Sequence, residues 1–67
     1  MKEVVEIDGW VATDPSGDTY LYDKKPFKDE KWWTGPGSSI RIDISQELKD
    51  ITKKNPVEAK IVISINV

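Results

Sequence analysis

The final eleven residues constrain this chain more than any other feature. Val57, Ala59, Ile61, Ile63, Ile65 and Val67 alternate with Glu58, Lys60, Val62, Ser64 and Asn66, the period-two pattern of a β-strand. At ~3.3 Å per residue such a strand runs to roughly 35 Å, about twice the common length. The chain has 67 residues, which is one domain, 1–67, with no material for a second core. So small a domain can hardly cover the strand along its whole length, and an exposed, flat, apolar strand recruits other strands. The strand from Val57 to Val67 is therefore expected to pair in part with a second copy. Size points the same way, because below ~70–80 residues a single core needs disulfides, a metal or self-association to support it. With no Cys and no His, the first is impossible and the usual structural-metal ligands are missing, which leaves a homo-oligomer.

The remaining elements follow from local chemistry. Ile44, Leu48 and Ile51 stand at i, i+4 and i+7, one apolar helical stripe that must pack on a sheet. Ser45 suits the N-cap, Glu47 the first turn, and Lys53 and Lys54 the last; Asn55-Pro56 ends the helix. Val4 to Thr13 is rich in β-formers, and Asp14-Pro15-Ser16-Gly17 fits a type I turn leading back into Thr19-Tyr20-Leu21-Tyr22. Gly9 marks a bulge that re-aims Trp10. Ile40, Ile42 and Ile44 alternate in a further strand. The predicted fold is α+β in the order β-β-loop-β-α-β, a small, mainly antiparallel sheet with one short helix on a face.

Charge is unevenly spread. Residues 1–23 hold one basic side chain (Lys2) against six acidic ones, whereas residues 24–41 hold five basic (Lys24, Lys25, Lys28, Lys31, Arg41) against two acidic (Asp29, Glu30). The overall charge of −2 argues against a general nucleic-acid binder, whose affinity comes from many Lys and Arg contacts to phosphate. The basic island also holds Phe27, Trp32 and Trp33 and the turn Gly35-Pro36-Gly37-Ser38-Ser39. That mixture suits a small anionic ligand with a flat ring. Trp32 or Trp33 can stack on a base for ~1–3 kcal/mol, and Lys24, Lys25 and Lys28 can neutralise phosphate. Ser38 and neighbouring backbone N–H groups can cradle the phosphate, and Arg41 can clamp it with two parallel hydrogen bonds. No P-loop or dinucleotide fingerprint is present.

Plainer roles exist for the same residues. Lys24 to Lys31 also reads as a solvated loop, Gly35-Pro36-Gly37 as a connection into the Ile40 strand, and Trp10, Tyr20 and Tyr22 as sheet packing. Adjacent residues of an extended segment face opposite ways, so one of Trp32 and Trp33 belongs to the core and the other faces outward. Catalysis has little to work with: Asp29 and Glu30 sit side by side among lysines, where both stay ionised instead of dividing into acid and base. The chain is expected to be no enzyme and to use no cofactor. Met1-Lys2-Glu3-Val4-Val5-Glu6 develops no apolar signal region, and Ile61-Val62-Ile63 is far too short to cross a bilayer, so the cytoplasm is the expected compartment.

Gly9-Trp10-Val11-Ala12-Thr13-Asp14, Gly17, Tyr20-Leu21-Tyr22 and Lys25-Pro26 together resemble a pattern in small proteins of bacteriophages and gut bacteria. In those chains a Trp-Val-Ala-x-Asp strand, a Gly turn, an aromatic strand and a Lys-Pro step are followed by a Trp, and an Ile- or Val-alternating strand closes the chain. The resemblance implies a phage or prophage origin, acting in the host cytoplasm, and small phage proteins often inhibit host machinery. Some are sponges, oligomers that sequester nucleotide second messengers of antiviral signalling. Two functions follow as expectations: a homo-oligomer that captures a nucleotide-like anion, or a module that docks on a host protein and inhibits it.

Overall fold

The structure, a computed structural model covering residues 1–67, is mostly antiparallel sheet with one short helix, as the α+β expectation required. Strand β1 (Lys2–Thr13) turns back into β2 (Thr19–Tyr22), followed by β3 (Phe27–Asp29), β4 (Trp32–Thr34), β5 (Ser39–Ile42), helix α1 (Gln46–Lys54) and β6 (Val57–Asn66). Four strands form one sheet in the order β5-β2-β1-β6, and β3 and β4 form a separate hairpin. This corrects the expected order: the segment read as a loop between the second and third strands contains two strands of its own.

The turn from β1 to β2 is made by its residues. Gly17 N–H donates to the Asp14 carbonyl at 2.9 Å, the i to i+3 bond of a β-turn, and Asp14 N–H donates to the Asp18 carbonyl at 2.9 Å. Gly17 takes φ +97°, a left-handed conformation that only glycine adopts freely. Helix α1 is capped as its sequence requires: Ser45 Oγ accepts from Leu48 N–H at 3.4 Å, and Asn55 closes the other end.

The long strand finds its hydrogen-bonding partner within the chain. β1 pairs with β6 from Lys2↔Asn66 to Val11↔Val57, and the Met1 and Val67 backbones bond beyond that. That ladder uses one edge of β6 and leaves the other unpaired, and β2 pairs with β1 only from Trp10 to Thr13. From Lys2 to Gly9 the β1–β6 pair is a bare two-stranded ribbon, which makes the molecule 46 Å long and 15 Å thick.

Gly9 does not sit in a bulge. It pairs in register with Ala59 between Asp8↔Lys60 and Trp10↔Glu58. Its reason is close approach instead: a Cβ there would lie 2.8 Å from the Tyr22 carbonyl oxygen, where β2 leaves the sheet and the ribbon begins.

Cross-strand partners share a face. One face carries Val5, Ile7 and Val11 with Ile63, Ile61 and Val57, and continues through Leu21 and Ile40; the other carries Glu6, Asp8, Trp10, Tyr20 and Tyr22. Helix α1 lies on the first face. Its anchor is Thr52, buried and hydrogen-bonded to Thr13, and not the apolar stripe: Leu48 and Ile51 remain 50% and 55% exposed. The stripe was expected to be covered by the sheet, but nine residues of helix reach only the end of a ribbon that runs on past them. The buried apolar core reduces to Ala12 and Tyr22.

Candidate functional site

Phe27-Lys28-Asp29 and Trp32-Trp33-Thr34 pair as β3 and β4 through a two-residue turn, Glu30-Lys31, with Asp29↔Trp32, Lys28↔Trp33 and Phe27↔Thr34 opposite each other. Glu30 adopts φ +56°, a position where an L side chain costs ~1–2 kcal/mol. The hairpin docks on the polar and aromatic face of the sheet through its backbone. Trp33 N–H donates to Asp14 Oδ1 at 2.9 Å, and the Tyr22 hydroxyl donates to the Trp33 carbonyl at 3.3 Å. Asp14 is placed for this by the β1–β2 turn that buries it. Burial raises the Tyr22 hydroxyl above its ordinary pKa, with the Asp14 and Tyr20 charges adding to the shift.

Docking in this way sorts the hairpin into two faces. Trp33 is half-buried, its indole Nε1 buried without a hydrogen-bond partner, and the Lys28 ammonium lies 5.3 Å above its ring. Phe27 and Trp32 share the opposite face and are 56% and 42% exposed. Lys31 Nζ sits 5.3 Å over the Trp32 ring, and Lys25 Nζ 5.2 Å over Trp10. Each indole thus carries a cation from its own chain, an attraction of about 0.5–1 kcal/mol at exposed sites that a stacking base must displace. The outward residue of the Trp pair is Trp32.

The remaining residues expected to hold an anion lie apart. Arg41 is exposed and ion-paired with Asp18 at 3.1 Å, in a hollow shared with Asp43 and Lys49. Ser38 accepts from Asp23 N–H at 3.2 Å through its carbonyl. The Asp23 carboxylate packs so tightly on the turn that a Cβ on Gly37 would collide with it. A carboxylate in that position repels phosphate, so the turn serves as the connection into β5. Trp33, Ser38 and Arg41 line three different hollows, while Lys24, Lys25, Lys28 and Trp32 line none. No group of three or more carboxylates is gathered to hold a metal, and no helix is long and apolar enough to cross a membrane.

Comparison with protein-family models, with curated proteins and with solved structures returns no match.

Sequence reasoning missed Phe27 as the companion of Trp32, and Asp14 and Tyr22 as the groups that seat the hairpin. The first becomes visible only once the hairpin register is known, which puts Phe27, Asp29, Trp32 and Thr34 on one face. Asp14 and Tyr22 had no signal either, since Asp14 reads as an ordinary turn residue and Tyr22 as sheet packing.

Proposed function

We propose that this chain is a non-enzymatic protein-interaction module, and that the outer face of the β3–β4 hairpin is its docking surface. The observation that carries the reading is the pair Phe27 and Trp32, exposed together on one face of a hairpin whose backbone is tied to the sheet through Asp14 and Tyr22. Aromatic side chains held on a rigid element are the usual anchors of protein interfaces. Asp29, opposite Trp32 on the same face, and Lys31, over the Trp32 ring, put one charge of each sign beside the apolar contact, which favours a partner with a mixed polar rim. The resemblance of its sequence pattern to small phage proteins supports a host protein as the partner and inhibition as the outcome.

Capture of a nucleotide-like anion by Lys24, Lys25, Lys28, Trp32, Trp33, Ser38 and Arg41 draws less support within one chain. The seven residues share no hollow, the indoles already hold lysines, and Asp18 and Asp23 occupy the groups meant for phosphate.

The test is affinity capture from host lysate with the full chain and with the Phe27→Ala/Trp32→Ala variant, each checked for cooperative unfolding. A protein retained by the natural chain and reduced at least tenfold by the variant supports the reading. Equal recovery by both, or a saturable thermal shift with a nucleotide that Arg41→Ala abolishes, overturns it.

A further inference from the structure

The apolar face of the β1–β6 ribbon has no cover within the chain, and its extent can be compared with what a dimer requires. The chain exposes 4983 Å², whereas a compact monomer of 7.6 kDa exposes about 4,300 Å² by the usual size scaling. The excess of roughly 700 Å² is close to the ~800 Å² that each partner contributes to a standard interface. The radius of gyration, 13.1 Å, exceeds the ~11 Å of a compact domain this long. The molecule's surplus surface is thus comparable with one partner's share of a standard interface.

Its chemistry is one-sided. Val5, Ile7, Ile61, Ile63 and Ile65 occupy one face of the ribbon with Glu3 as its only charge, at the tip. The reverse face carries Lys2, Glu6, Asp8, Glu58 and Lys60, with Glu6 and Lys60 ion-paired at 3.6 Å, and its two aliphatic side chains, Val4 and Val62, stand among these charges and Ser64. Two apolar hollows open on the first face. One of about 180 Å³ lies between Ile7, Leu21, Ile40 and Ile61, and one of about 200 Å³ between Val11, Leu48 and Val57. Side chains projecting from a ribbon and hollows that accept side chains stand on the same surface, which is what an isologous, two-fold contact needs.

We propose that two copies of this chain pack face to face through the apolar side of the β1–β6 ribbon, independently of what the β3–β4 hairpin binds. The contact is between sheet faces and not between β6 edges. Water satisfies the free N–H and C=O groups of an edge, but it cannot satisfy a row of isoleucines. A second copy, not another molecule, is the occupant. The chain's own buried apolar residues are only Ala12 and Tyr22, so the cover is needed for folding itself. The partner always present when a chain folds is another copy of it.

Neighbouring residues on opposite faces provide the test. Val62 is 59% exposed on the charged face and Ile63 is 43% exposed on the apolar face. Sedimentation equilibrium of the full chain is expected to give twice the mass of one chain at micromolar concentration. Val62→Lys should leave that mass unchanged, and Ile63→Lys should weaken association at least a hundredfold. Because Ile63→Lys can instead fail to fold, the natural chain also serves: in an equal mixture of labelled and unlabelled protein, intermolecular NOEs should reach the methyl groups of Ile7, Ile61 and Ile63 but not those of Val4 and Val62. A single-chain mass at several hundred micromolar overturns the proposal. So do intermolecular contacts at Val4 and Val62, equal sensitivity to both lysine variants, or a monomer whose apolar face binds lipid vesicles.

Discussion

Thr13 in β1 and Thr52 in α1 share a buried hydrogen bond of 2.7 Å, and no other side-chain hydrogen bond joins the helix to the sheet. Its direction follows from its neighbours. Thr52 Oγ1 lies 2.8 Å from the Leu48 carbonyl, which can only accept, so the Thr52 hydroxyl donates there and accepts from Thr13. Thr13 in turn accepts from Thr19 at 2.7 Å. One proton per hydroxyl runs Thr19 to Thr13 to Thr52 to Leu48 with none left over. Thr13→Val, near in shape, removes the middle of this chain and strands a buried donor and a buried acceptor. It is expected to cost about 1–3 kcal/mol in urea unfolding, more than Thr52→Ser, which keeps the hydroxyl.

Gly9 is expected to be the most sensitive position in β1. A methyl group there meets backbone, the Tyr22 carbonyl oxygen at 2.8 Å, and the Leu21 side chain at 3.3 Å. The carbonyl cannot swing aside without pulling β2 off β1. Gly9→Ala should destabilise by about 1–3 kcal/mol, although alanine is no worse than glycine in a strand, while Gly17→Ala acts through its positive φ alone. Thermal unfolding of both variants checks the contrast.

The hairpin's seat makes stability depend on alkaline pH. The folded chain raises the Tyr22 pKa above its ordinary value near 10, chiefly by burial and then through Asp14 and Tyr20. A raised pKa means that the folded state holds the proton more tightly than the unfolded one. The associated stability is therefore complete below about pH 10 and is lost as pH climbs through the folded-state value. Tyr22→Phe, which cannot ionise, should flatten that limb while giving up its bond to the Trp33 carbonyl, worth about 0.5–1.5 kcal/mol. Asp14→Asn should move the Tyr22 titration, followed by tyrosinate absorbance, back toward the ordinary value. Asp14→Ala should instead strand the Trp33 N–H and speed its hydrogen exchange.

Wherever signals were local, the sequence carried them. The length of β6, the Asp14-Pro15-Ser16-Gly17 turn and the Ser45 to Asn55 helix follow from alternation, turn chemistry and capping, each decided within a few residues. The β3–β4 hairpin was not legible, because Glu30-Lys31 lacks the Gly or Asn that marks a two-residue turn and three-residue strands are too short to show a period. Gly9 carried a real signal with two meanings, bulge or close approach, and only the position of Tyr22 separates them. For the candidate site, the sequence marked the aromatic and basic segment but not its orientation.

By itself the sequence determined that a long, one-sided apolar strand must exist and that a domain this small would leave part of it bare. The tertiary structure decided which part. Period-two patterning places side chains on a face, but it does not say which strand will be the neighbour or how far the helix will reach. β1 paired with β6 to its end, whereas the pairing of β2 stopped at Trp10 and α1 was anchored only through Thr52. The two long strands thus hydrogen-bond to each other inside one chain, while their outer edges are left to water and burial of the isoleucines was left undone.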